Sequence, residues 1–166
     1  MKIKTNKVII ILSILSMLLI TKITRIIAQD ISFKYSQNRK NVQDTMLGKW
    51  QIFKYKFCGL SSLDKTDSDK LKGSILMYSE DSLNVFDFVG SKVEYSYEFK
   101  SSAGYFSNSF KCNYKELGVP GRIKVCRINY LAADIKKKMF MDVIVLDGKK
   151  IIVPYEGVFF YAKKIK

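Results

Sequence analysis

The sequence predicts an all-β fold: an eight-stranded antiparallel up-and-down barrel with one or two short helices. Three observations predict it. Eight segments of β character run from residue 48 to the C-terminus. One of them, Lys92–Lys100, alternates cleanly: Val93, Tyr95, Tyr97 and Phe99 share one face, and Glu94, Ser96 and Glu98 the other. Tight-turn signals, Asp147-Gly148 and Glu156-Gly157, separate the last three segments.

The first strand is Gly48–Cys58. Phe53, Tyr55 and Phe57 fall on one parity, whereas Trp50 and Ile52 fall on the parity of Lys54 and Lys56. The apolar face therefore switches between Ile52 and Phe53, which requires a bulge or sharp bend because strand side chains alternate strictly. Residues 59–72 form a loop with a short helical turn, capped by Thr66 or Asp67 and ended by Gly73. Strand two is Ser74–Tyr78, and Ser79-Glu80-Asp81-Ser82 is a turn. Strand three is Leu83–Val89, and Gly90-Ser91 turns the chain into strand four, Lys92–Lys100.

Residues 101–121 are less regular. Asn113–Gly118 reads as a short helix with a glycine stop, followed by the turn Val119-Pro120-Gly121. This insertion breaks the meander and is expected to cover one barrel end. Strand five is Arg122–Tyr130, and Leu131–Lys137 is a connection. Strand six, Lys138–Leu146, is apolar on both faces and is expected to be buried on both. Strand seven is Lys149–Tyr155, with Pro154 near its end, and the last strand is Val158–Lys164. Together these make one domain, residues 47–166, preceded by a polar, aperiodic linker at 29–46.

The N-terminus has an export pattern. A basic, acid-free stretch, Met1–Lys7, precedes 13 apolar-rich residues from Val8 to Ile20. That is the length of a signal-peptide core and short for a membrane span. Residues 1–28 read as a signal peptide with Ala28 as the last residue before cleavage; the alternative is an uncleaved anchor over residues 8–27. No cysteine follows the apolar core, which disfavours lipid attachment. The expected location is the periplasm, the cell surface or the exterior. Removing 1–28 takes away Lys2, Lys4, Lys7, Lys22 and Arg25 and no acid, which lowers the net charge from +14 to +9. A basic domain keeps itself soluble and prefers acidic partners.

The three cysteines are Cys58, Cys112 and Cys126. An odd count permits one disulfide and one free thiol, with Cys112 and Cys126 as the candidate pair; the alternative is three buried thiols. The cysteine spacing fits no zinc pattern, and the chain has 0 histidines to complete one.

Eight up-and-down strands suit a barrel that holds one small ligand. Leu47-Gly48-Lys49-Trp50 resembles the Gly-x-Trp signature that opens the first strand of lipocalins and related calycins. The wider pattern is similar to small exported lipocalin-like proteins of bacteria, through Asp147-Gly148 and Gly157-Val158-Phe159-Phe160 in a last strand ending in lysines. The likeness spans roughly residues 47–164. It implies that Trp50 packs across the closed barrel end. Lipocalins place an arginine near the last strand over that ring. Here no arginine follows residue 127, which leaves Lys163 or Lys164 as the cation–π partner.

The missing histidine excludes Ser-His-Asp and Cys-His nucleophilic systems. The paired carboxylates Glu94/Glu98 and Asp64/Asp67 read as solvated or loop groups rather than an acid–base pair. No phosphate loop or other cofactor motif is present. The expectation is a protein that is not an enzyme and has no cofactor and no metal. Phe53, Tyr55, Phe57, Tyr95 and Tyr97 are the candidate lining of a ligand cavity, with hydroxyls to orient an apolar or amphipathic molecule. The alternative is an inhibitor- or immunity-type protein module that meets an acidic partner with its basic surface. Charge and aromatics also suit nucleic acid, against which the export signal argues. Membrane contact is expected only through the N-terminal segment.

Overall fold

The computed structural model describes residues 20–25 and 45–166. The remainder of the export segment (1–28, or 8–27 as an anchor) and of the linker (29–46) lies outside the described residues. Residues 20–25 are helical, and the Thr24 hydroxyl donates to the Ile20 carbonyl at 2.6 Å.

From residue 48 the chain forms eight antiparallel strands that close into a barrel in sequence order: β1 (Gly48–Phe57), β2 (Ile75–Tyr78), β3 (Ser82–Val85), β4 (Phe88–Ser101), β5 (Arg122–Ala132), β6 (Lys138–Asp147), β7 (Lys150–Tyr155) and β8 (Val158–Ile165). Closure pairs β1 with β8 from Lys49↔Ile165 to Phe57↔Val158. The register shifts between Ile52 and Lys54, at the point where the apolar face changes side. The extra residue is Phe53, and the bulge lets β1 bend around the barrel.

Alternation sorts the side chains into two cores. The lumen holds Trp50, Ile52, Leu76, Tyr78, Val85, Cys126, Ile128, Val143, Ile151 and Phe160. The second core lies on the outside of the wall. It joins Val125, Ile144, Ile152, Phe159 and Tyr161 to α2 (Ser102–Phe110) and α3 (Tyr114–Leu117). The 101–121 insertion therefore covers the barrel's flank, where β5–β8 need a cover for their outward apolar residues, rather than a barrel end. Phe106 and Phe159 are fully buried there with ring centroids 5.6 Å apart, each contributing about 1.5–3 kcal/mol by burial. β6 is buried on both faces at Val143–Val145 for the same reason.

The disulfide joins Cys58 to Cys112, and Cys126 is free and buried. This corrects the Cys112–Cys126 pairing. Cys126 points into the lumen from mid-β5, while Cys112 follows α2 on the outer flank, so the barrel wall separates them. Cys58, just past β1, reaches the same outer cluster as Cys112.

The β3–β4 turn falls at Phe86-Asp87, with Phe86 at φ 54°, and not at Gly90-Ser91. Gly90 lies inside β4 for a steric reason: a Cβ there would sit 2.5 Å from Cδ2 of Tyr130. The helix that follows β1, α1 (Lys65–Leu71), is capped by Asp64, whose carboxylate accepts from the Asp67 N–H.

Candidate functional site

Trp50, near the start of β1, is fully buried in the inner core and donates from Nε1 to the Met46 carbonyl at 2.8 Å. Lys164 Nζ lies 5.4 Å from the centre of the indole. Gly48 has φ +121°, and a Cβ there would meet Cε of Lys164 at 3.2 Å. The glycine of the Gly-x-Trp opening thus clears a path for the lysine stem that crosses the ring. Lys163 has the opposite parity, pairs with Gln51 and Lys150, and is exposed.

The five residues read as a cavity lining do not gather in one place. Tyr95 and Tyr97 face the lumen, with the Tyr95 hydroxyl donating to the Ser79 carbonyl at 2.6 Å. Burial pushes both phenols well above their ordinary pKa, and Cys126 lies beside each. Tyr55 faces the same way at the rim and donates to Asp69 of α1 at 2.9 Å. Phe53 leaves this group because it is the bulged residue: its ring packs edge-on against Tyr161 in the outer core. Phe57 is 41% exposed beyond the rim. Large side chains, Trp50, Tyr78, Leu76, Ile128 and Phe160 among them, pack the lumen itself.

A mainly apolar concavity lies in the wall. The β6–β7 ladder runs from Asp147↔Lys150 to Ile144↔Ile152 and ends there. Met139–Asp142 and Val153–Tyr155 continue side by side without pairing. Pro154 has no N–H to offer across this gap. A cleft of about 480 Å³ opens between the two strands. Its inner wall is Tyr130, Met139, Met141 and Tyr155, with Phe86 and Phe88 from the β3–β4 turn. Its outer wall is Phe140 and Pro154, with Tyr105 and Phe110 of α2. The Phe86 and Tyr155 rings stack with centroids 4.2 Å apart, and Phe88 meets Tyr155 edge-on at 5.8 Å.

Few polar groups enter the cleft. Arg127 donates from Nε and Nη2 to the two carboxylate oxygens of Asp142 at 2.9 and 3.0 Å. The guanidinium also lies over Phe140 at 5.0 Å. The Tyr105 hydroxyl reaches Asp142 at 3.4 Å. Burial first, and then the Asp142 charge, hold this phenol above its ordinary pKa. The hydrogen bonds that Arg127 donates to Asp142 also raise the arginine above its ordinary value. Glu156 stands at the rim.

Three of the four paired carboxylates are occupied by structural contacts, and the fourth, Glu94, is exposed. Asp64 caps α1, Asp67 binds Lys70 at 2.8 Å, and Glu98 binds Lys100 at 2.7 Å. What the sequence reading missed is the cleft. Its signals were a proline inside a strand and three apolar residues, Met139-Phe140-Met141, opening β6. Comparisons with protein-family models, with curated proteins and with solved structures each find no match.

Proposed function

We propose that this chain is an exported, lipocalin-like, non-enzymatic binding protein that holds a small amphipathic molecule in the β6–β7 cleft. The single observation that carries this reading is the cleft itself. About 480 Å³ lies within the range of small-molecule sites, and the walls are mainly aromatic and methionine side chains with one oriented ion pair. The large side chains that fill the lumen favour a site in the wall over one in the barrel interior. Methionines suit it because they adapt to irregular apolar shapes. The Cys58–Cys112 disulfide supports export to an oxidising compartment. The Gly-x-Trp opening, with Lys164 over the indole, supports the lipocalin-like reading.

Native mass spectrometry of protein purified from its own host tests it. A bound small molecule is expected, and it should be lost from a Met139→Trp variant that fills the cleft. Ligand-free protein, or a ligand retained by that variant, would overturn the assignment.

A second reading is a module for an acidic protein partner. It is favoured by a basic, aromatic shelf where β4 and β5 run on together. Phe99 is 64% exposed beneath Arg122, and Lys124 lies 4.1 Å over Tyr97. An acidic protein that co-purifies with the chain, and is lost from Arg122→Glu/Lys124→Glu, would favour this reading.

A further inference from the structure

We propose that the ligand of the cleft is an organic cation, an amphiphile with a fully alkylated ammonium head and a short apolar tail. The inference rests on the cleft being the binding site, and it adds the charge of the occupant.

The first argument is local charge. The chain carries +14 overall, yet the cleft does not share that sign. Its ionisable lining is Arg127, Asp142 and Glu156. Arg127 is engaged by both oxygens of Asp142. Glu156 is then uncompensated in the lining. A further carboxylate, Asp87, sits between Phe86 and Phe88 and accepts from the Tyr155 hydroxyl at 3.2 Å. An anionic head would meet two carboxylates in the lining, Asp142 and Glu156, with Asp87 behind the Tyr155 hydroxyl, and one arginine whose Nε and Nη2 are already committed.

The second argument is the state of the rings. This protein repeatedly sets a cation on an aromatic face: Lys54 on Tyr161, Lys124 on Tyr97, Arg122 on Phe99, Lys164 on Trp50. At the cleft, Lys100 and Arg127 take Tyr105 and Phe140. Among the described residues, no lysine or arginine lies over Phe86, Phe88 or Tyr155. Those three rings meet as one stacked and one edge-on pair, flanked by Asp87 and Glu156. Phe86 and Tyr155 cover one face of each other, and Phe86 also packs on Phe160 at 5.2 Å; the ring faces left uncovered, bordered by carboxylates, attract a cation through the quadrupole and the nearby negative charge together.

The third argument decides between cations. A primary ammonium is strongly hydrated and needs hydrogen-bond acceptors on three sides. An alkylated ammonium is weakly hydrated and needs only ring faces and diffuse negative charge. Met139 and Met141 provide an adaptable channel for the tail.

The test is titration calorimetry of the full-length chain with three eight-carbon amphiphiles below their micellar range: octyltrimethylammonium, octyldimethylamine oxide and octyl sulfate. The cation is expected to bind about tenfold more tightly than the neutral oxide, and the sulfate more weakly still, against the direction of the net charge. Glu156→Gln/Asp87→Asn should bring cation and oxide together. Tyr155→Leu should weaken the cation while sparing the oxide. If the oxide or sulfate binds as tightly as the cation and Met139→Trp abolishes it, the cleft stands and the cation is wrong. If nothing binds, or if binding survives Met139→Trp, the cleft itself is wrong.

Discussion

Arg127 and Asp142 face each other directly across the β5–β6 ladder and are tied by two hydrogen bonds of 2.9 and 3.0 Å. Cross-strand register puts them opposite, and the planar guanidinium matches the carboxylate. Asp142 is the less exposed partner, with 13% of its side chain accessible against 40% for Arg127. It also receives the Tyr105 hydroxyl, so it links β5 and β6 to α2.

Asp142→Ala should destabilise the fold by about 1–2 kcal/mol, since it strips the acceptor from both Arg127 and Tyr105. Arg127→Ala should cost less, because water reaches the half-exposed guanidinium and screens the pair. Urea unfolding of both variants checks the order. Equal losses would show that the Tyr105 contact carries no weight.

The disulfide between Cys58 and Cys112 closes a separation of 54 residues. Replacing both with serine should cost about 4 kcal/mol on the loop-entropy scale. The loss should be felt first in α2, which the bridge holds near the cleft. Amide exchange measured by mass spectrometry should quicken in residues 102–117 before it quickens in β5 or β8.

Trp50 is the only tryptophan and is fully buried. Its fluorescence should therefore be blue-shifted and resist quenching by iodide until the protein unfolds. Trp50→Phe removes the hydrogen bond to Met46 and leaves a void, at a cost of about 2–3 kcal/mol. Lys164→Ala should cost under about 1 kcal/mol, as expected for a cation on a ring near solvent.

With 0 histidines in the chain, stability should be flat between about pH 6 and 8. Alkali is different. Burial pushes the Cys126 thiol from 9.0 up to about 12 and the Tyr161 phenol from 10.0 up to about 12. Tyr78, fully buried, is raised as well. A raised value means that the fold favours the protonated form. The contribution is complete below the unfolded values of 9.0 and 10.0 and is lost as the pH climbs toward about 12. Each such group removes at most about 1.4 kcal/mol per pH unit. Urea midpoints at pH 7, 9 and 11 should hold and then drop, and the late, buried fraction of tyrosine ionisation at 295 nm should coincide with unfolding.

The strands were legible because alternation and turn chemistry are local. The bulge was legible too, because Ile52 and Tyr55, three residues apart, cannot both face inward without one. The same bulge displaced Phe53 from the cavity where simple parity had put it. Gly90 looked like a turn residue, but it is glycine because the Tyr130 ring lies on it, a contact 40 residues distant in sequence. The cysteine pairing failed for a related reason. Parity shows that Cys126 points to one side of a strand, but only the closed barrel shows that Cys112 is on the other side of the wall. The cleft arises from pairing that stops, and a missing ladder leaves little trace in composition beyond Pro154.

The most direct test of the cleft is methyl NMR of methionine-labelled protein during a titration with octyltrimethylammonium. Met139 and Met141 line the cleft, whereas Met46 is buried beneath Trp50 and Met77 is partly exposed on β2. The Met139 and Met141 signals should shift and saturate together while Met46 and Met77 stay in place. A shift of Met46 with the cleft methionines silent would put the ligand in the lumen and contradict the account.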